Sequence, residues 1–284
     1  MDNSSDTTIV HNRSLDTKVS TSKGTHTVHV KAWGDKGALC LADVSITVSS
    51  VTDDPTGDGS TIPSNATRVT NIETMGNWNA SHDKGANGTS SGKTSMVGSP
   101  SHSGPARKFV STYKSRGAVR YSVGFGDNQT ATNFFYDAWV YVTSSVSHVA
   151  NIEMDVNQTM PNGQTVIFGV QCDGYSGTWD YTENQGSATH PKGHWATSSA
   201  ACNPRNWSQN TWHHVQISYS RSSTGHVTYK AVWLDGHKST LNHTVFAARA
   251  LGWGSSLSTN FQVDGQGSSG SSTVYLDSLT LYRW

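Results

Sequence analysis

Glutamate is scarce in this chain, with only Glu73, Glu153 and Glu183 among 284 residues. Charge of either sign is thin, at 14% of residues, and 20 basic side chains balance 20 acidic ones. Without a basic excess the chain lacks the electrostatic footprint of a nucleic-acid or anionic-membrane binder, so neither is expected as a partner. No apolar run approaches the ~18 residues that a membrane-spanning helix needs. The three cysteines, Cys40, Cys172 and Cys202, show no C-x-x-C spacing and no H-x-x-x-H accompanies them, so no metal site is read from them and no cofactor is expected to be required. Serine nucleophile elbows, phosphate loops and a helical apolar period are absent as well. His213 and His214 are adjacent, and on a strand they point to opposite faces, so they cannot share one metal.

What remains is rich in Gly, Ser, Thr and Asn, with ten Trp and ten Tyr. Strands take Thr, Val, Tyr and Trp, and turns take Gly, Asn and Ser, so this balance predicts an all-β protein of secreted type. The polar start Met1-Asp2-Asn3-Ser4-Ser5 is no signal peptide, and export would rest on a signal upstream of it. Cys172 and Cys202 flank a Gly-rich, aromatic-rich excursion and could close it as a disulfide, leaving Cys40 alone in another segment. Residues 1–50 read as short strands at 8–10, 16–20, 26–33 and 44–48. Residues 51–67 have the Pro, Gly and polar content of a linker. From residue 68 a second domain begins, with an irregular Gly/Ser/Asn stretch at 75–105. Strands then follow at 108–114, 118–125, 133–143, 149–158, 165–172, 211–220, 226–234, 238–245, 259–264 and 273–282. So many strands joined by short turns predict a two-sheet antiparallel jelly roll.

The segment 150–157 alternates without a slip. Ala150, Ile152, Met154 and Val156 point one way, and Asn151, Glu153, Asp155 and Asn157 the other. Two carboxylates on one strand face repel each other. In a chain so poor in glutamate that pairing points either to a solvated outer face or to the floor of a polar groove for a hydroxylated ligand. Residues 260–264 repeat the pattern, with Phe261 and Val263 inward and Asn260, Gln262 and Asp264 outward. Were this strand to lie beside Glu153, Asp264 would oppose it across a sugar, at a separation that distinguishes retaining from inverting hydrolysis. Phe135, Asp137, Trp139 and Tyr141 share the second face of 133–142. Aromatic rings stack on the apolar faces of pyranoses, so Trp139 and Tyr141 are candidate sugar subsites, with Asp137 beside them. Gln171 and Asp173 are further groove candidates, and Trp179, Trp195 and Trp207 candidate groove walls.

Several motifs carry a resemblance. Asn133-Phe-Phe-Tyr-Asp-Ala-Trp-Val-Tyr-Val, Ile152-Glu-Met-Asp-Val-Asn-Gln, Asn210-Thr-Trp-His-His-Val, Val232-Trp-Leu-Asp-Gly and Tyr275-Leu-Asp-Ser-Leu-Thr-Leu, over most of residues 69–284, resemble the concanavalin-A-like lectin and glucanase superfamily. The pattern Gly24-Thr-His-Thr-Val followed by Ala32-Trp33 resembles the penultimate strand of a bacterial immunoglobulin-like domain, present here only in part. The resemblance is to a group of secreted bacterial proteins and implies no activity by itself; a polysaccharide or oligosaccharide partner is expected from the acidic and aromatic faces above, and a secreted or cell-surface monomer is expected. Retaining endoglucanases of that superfamily carry Glu-x-Asp-x-Glu on one strand. Glu153 and Asp155 match its first two positions, but Asn157 stands in the third, and an amide cannot supply the acid/base proton. Two expectations follow: a glycoside hydrolase using Glu153, Asp155 and Asp264 with Asn151, Asn157, Trp139, Tyr141, Asp137, Gln171 and Gln262 binding substrate, or a non-catalytic carbohydrate-binding or adhesion module. Superfamily analogy adds a structural calcium at Glu73 and Asp277.

Overall fold

Alternation decides which side of each strand meets the core, and it does so here across two sheets. The computed structural model describes residues 24–33, 39–48, 62–126 and 129–284. The chain forms two units, Met1–Asp54 and Pro55–Trp284. In the first, β1 (Gly24–Trp33) and β2 (Leu39–Val48) pair as an antiparallel hairpin. Val30, Leu41 and Val44 are exposed on it, and His29 faces Asp43 across the ladder at 2.6 Å. The strands expected at 8–10 and 16–20 lie outside the described residues, as do the turn at 34–37 and most of the 51–67 linker.

The second unit is a sandwich of antiparallel strands. In chain order these are β3 (Thr67–Val69), β4 (Asn79–His82), β5 (Thr89–Val97), β6 (Ala106–Lys114), β7 (Ala118–Gly126), β8 (Asn133–Val142), β9 (Val149–Thr159), β10 (Thr165–Asp173), β11 (Thr178–Asn184), β12 (Gly193–Ala201), β13 (Thr211–Arg221), β14 (His226–Leu234), β15 (His237–Phe246), β16 (Ala248–Arg249), β17 (Leu257–Gly265) and β18 (Ser269–Arg283). One sheet runs β15-β14-β13-β8-β18-β6-β5, with β3 beside β18. The other runs β12-β11-β10-β9-β17-β7-β4, with β16 beside β10. The final two strands thus enter the middle of the two sheets, β17 between β9 and β7 and β18 between β8 and β6. Among the described residues, helical geometry is confined to single 3-10 turns at Ile72–Thr74, Ser144–His148 and Pro204–Asn206.

Between the sheets, Phe134, Phe168 and Tyr219 stack on one another, and Phe109 packs on Tyr121 and Phe261. Ile152, Met154 and Val156 of β9 enter the same core. Aromatic burial of this kind supplies most of the driving force for closing a sandwich.

Three expectations need correction. The stretch 75–105 is not irregular, since it contains β4 and β5. Nor is the excursion between Cys172 and Cys202 a loop: it holds β11 and β12, which extend one sheet edge. Its Cys172–Cys202 bond is formed, with both sulfurs buried. Trp179 and Trp207 are buried in the core and wall no groove, while Trp195, opposite Thr182 in the ladder, is half-buried.

Candidate functional site

The register of β9 builds the polar face. Glu153 lies between Gln171 of β10 and Gln262 of β17, Asp155 between Gly169 and Asn260, and Asn151 between Asp173 and Asp264. Residues opposite one another in an antiparallel ladder share a face, so the polar residues of three strands converge on the side turned away from the core. β7 adds Arg120, opposite Gln262, and β11 adds Asp180, opposite Gln171. Sequence reasoning missed both, along with Arg249 of β16, which stands opposite Thr165. Asp180 sits in a segment read as loop, and pairing between distant strands leaves no trace in local periodicity.

Close packing leaves this face almost free of solvent: Glu153 is 7% exposed, Asp155 4% and Asn157 1%. Asp264 Oδ2 accepts from Asn151 Nδ2 at 3.2 Å and Oδ1 from Gln262 Nε2 at 3.1 Å. Asp155 Oδ2 accepts from Asn260 Nδ2 at 3.4 Å. Gln171 donates to Asp173 at 3.3 Å, and Asp180 accepts from the Thr178 and Ser176 hydroxyls at 2.6 and 3.1 Å. Four buried polar atoms have no partner among protein groups: Asp155 Oδ1, Asn157 Oδ1, Thr165 Oγ1 and Arg249 Nε. Native interiors leave few such atoms unpaired, because each forfeits the free energy of a hydrogen bond to water.

Burial, followed by mutual repulsion, makes the carboxyls harder to ionise. Glu153 is pushed well above the usual carboxylate range by burial and then by the charge of Asp155, two residues away on the same strand face. Burial lifts Asp155 to about 6, Asp264 to about 7 and Asp180 to about 6, with Asp83 and Asp173 among the like charges acting on them. The charge of Asp155 therefore disfavours ionisation of Glu153 beside it.

Trp139, Tyr141 and Asp137 do not join this face. They project outward from β8, which belongs to the other sheet. Periodicity reveals that they share a side but not which strands neighbour them. Trp139 is also closed to a sugar on both ring faces: His102 stacks on one at 3.8 Å and His214 on the other at 4.5 Å. Asp137 accepts from Gln216 Nε2 at 3.1 Å and contacts His214 Nε2 at 2.7 Å. Tyr141 packs edge-on between Trp212 and Tyr275.

The calcium expected at Glu73 and Asp277 does not fit the residues present. Asp277 Oδ2 accepts from the amides of His102 and Ser103, and Oδ1 from the Ser278 hydroxyl. Glu73 Oε2 accepts from the Leu279 amide. The Arg107 guanidinium is bonded to the Glu73 and Met75 carbonyls at 2.6 and 2.7 Å, so a fixed cation already lies beside Glu73. Calcium takes six to eight oxygens, and three of these four carboxylate oxygens already accept hydrogen bonds. Chelation should accordingly leave the thermal midpoint unchanged, whereas Arg107→Ala should cost about 2 kcal/mol in urea unfolding through lost charged hydrogen bonds; a midpoint that falls with chelator would restore the ion.

No family model matches the chain, and no curated protein matches it significantly. Solved structures similar to it include a carbohydrate-binding module of the β-sandwich superfamily, at 14% identity over 91% of this chain and 74% of that one, TM-score 0.38. Others are the cellulose-induced protein Cip1, at 13% identity over 75% and 96%, TM-score 0.46, and a family 11 carbohydrate-binding module from Clostridium thermocellum, at 12% over 76% and 94%, TM-score 0.35. At such identities and scores, what the protein does has to be read from its own side chains.

Proposed function

We propose that this protein is a non-catalytic carbohydrate-binding module that holds an oligosaccharide or polysaccharide on the polar face of β10, β9 and β17. One observation carries the reading. Four buried polar atoms, two of them acceptors on carboxylate and amide oxygens, lie unpartnered on a face otherwise crowded with amides and carboxyls. Sugar hydroxyls, each donor and acceptor at once, are suited to satisfy such a set, and half-buried Trp195 on the same face offers an aromatic flank.

Hydrolysis is the weaker reading. A glycosidase needs one carboxyl group as acid and a second, independent one across the bond. Here Glu153 and Asp155 lie two residues apart on one strand face, Asp264 is held by two amides, and Asn157 occupies the third position of the strand motif. We also read the sandwich as concanavalin-A-like on the motifs quoted above, the hairpin as part of an immunoglobulin-like spacer, and the protein as exported, since a Cys172–Cys202 bond suits an oxidising compartment.

Affinity electrophoresis through gels containing individual soluble polysaccharides tests this, alongside a reducing-end assay on the same panel. Retarded migration without release of reducing ends is expected. Release that collapses in Glu153→Gln would make the protein a hydrolase, and unretarded migration across the whole panel would remove the saccharide reading.

A further inference from the structure

The polar face holds more negative than positive side chains. Six carboxyl groups act on one another there: Asp83, Glu153, Asp155, Asp173, Asp180 and Asp264. Arg120 and Arg249 are the cations that act on Asp155. After burial, the charge of Asp155 is among the causes that raise the phenols of Tyr136, Tyr219 and Tyr229 above their ordinary range. The two unpartnered acceptors, Asp155 Oδ1 and Asn157 Oδ1, stand two residues apart on one strand face. Asp155 leans over Gly169 of the neighbouring strand, where a Cβ would lie 2.8 Å from Oδ1 and 2.6 Å from Thr182 Cγ2. Any larger residue at 169 would press on that buried oxygen.

We propose that the ligand of this face carries a primary ammonium group, as the free amine of a 2-amino-2-deoxy sugar does, and that the ammonium docks between Asp155 Oδ1 and Asn157 Oδ1. This rests on the saccharide reading of the same face. An ammonium offers three N–H donors and no acceptor, so it can serve both orphaned oxygens and face no lone-pair repulsion. A sugar hydroxyl has one proton for two acceptors, and an acetamido group brings a carbonyl toward a carboxylate. Sulfate or uronate groups add like charge to a crowded set. The ammonium also supplies the positive charge that two guanidiniums do not provide to six carboxyls, and its arrival favours the ionised form of Asp155, so docking releases protons.

Three β-1,4-linked oligosaccharides of equal length, differing only in a hydroxyl, acetamido or free amino group at C2, separate the possibilities. Titration calorimetry at about pH 6, near the raised carboxyl range, is run in two buffers of different ionisation heat. The amino form is expected to bind about tenfold more tightly than either other form, with proton release visible as a buffer-dependent enthalpy. Asp155→Asn should lower its affinity about tenfold and Asn157→Asp should raise it. Asp43→Asn, on the β1–β2 hairpin, removes the same charge elsewhere and should change nothing. Equal or tighter binding of the hydroxyl or acetamido form overturns the ammonium assignment and leaves the glycan reading standing. An equal loss with Asp43→Asn reduces the effect to bulk attraction of a polycation, and overturns the assignment too. Binding by none of the three, together with unretarded migration on the polysaccharide panel, removes both.

Discussion

Lowering the pH from about 8 to about 5 should stabilise this protein by roughly 3 kcal/mol, against the usual direction for a chain with buried carboxylates. The sign follows from which state holds more protons. Burial raises Asp155 to about 6 and Asp264 to about 7, and Glu153 higher than an ordinary carboxylate. In the unfolded chain all three titrate near ~4. Between those limits the native state binds more protons, so stability is fully present below about pH 4 and is lost as pH rises through 6 and 7. Each tenfold weakening of a carboxylic acid on folding is worth about 1.4 kcal/mol, and because the charges of Glu153 and Asp155 interact the contributions do not simply add. Urea unfolding across that pH range measures the slope. Asp264→Asn should flatten it, because the amide needs no proton to remain buried. A stability that climbs steadily between pH 5 and 8 would show that these carboxyls are ionised and paired in the native state.

Gly265→Ala should destabilise the sandwich by about 3 kcal/mol, a large effect for one methyl. A Cβ at 265 would overlap ring carbons of Tyr113, and one at Gly270 would meet the same phenol, so the ring is clasped between the end of β17 and the start of β18. It cannot swing aside, because its hydroxyl lies 2.8 Å from the His148 carbonyl and 2.6 Å from that of Gln266. Tyr113→Ala alone should also destabilise, by lost packing. The double variant should recover part of the sum, since shrinking the ring removes the clash. Additive losses in urea melts of the three variants would mean that the ring and the glycine do not meet.

Much of the architecture is visible in local alternation. β8, β9 and β17 each show an apolar side that enters the core, and the other side is polar in β9 and β17 and largely aromatic in β8. Alternation fixes a side within one strand and is silent about its neighbours. Glu153, Gln171, Gln262 and Asp264 therefore come together as their separate patterns allowed, while Trp139, with an equally clear pattern, lies on the opposite sheet. β11 and β12 escaped notice because Thr, Ser, Asn and Gly occupy positions where a strand normally shows branched apolar residues, and Asp180 went unseen with them. That Arg107 would stand where an ion was expected was equally hidden, since its partners are main-chain carbonyls at residues 73 and 75, which no side-chain motif records.

Because the last two strands fill the centres of both sheets, the sandwich cannot be assembled progressively as the polypeptide emerges during synthesis. Until residues 257–283 are available, β9 and β7 have no strand to join them, and neither do β8 and β6. Each sheet waits as two halves with bare inner edges, the kind of surface that invites pairing with other chains. Contacts so distant in sequence make folding slow and postponed to the end of translation, and a chain stopped before β17 would yield not a smaller sandwich but a sticky, unclosed one.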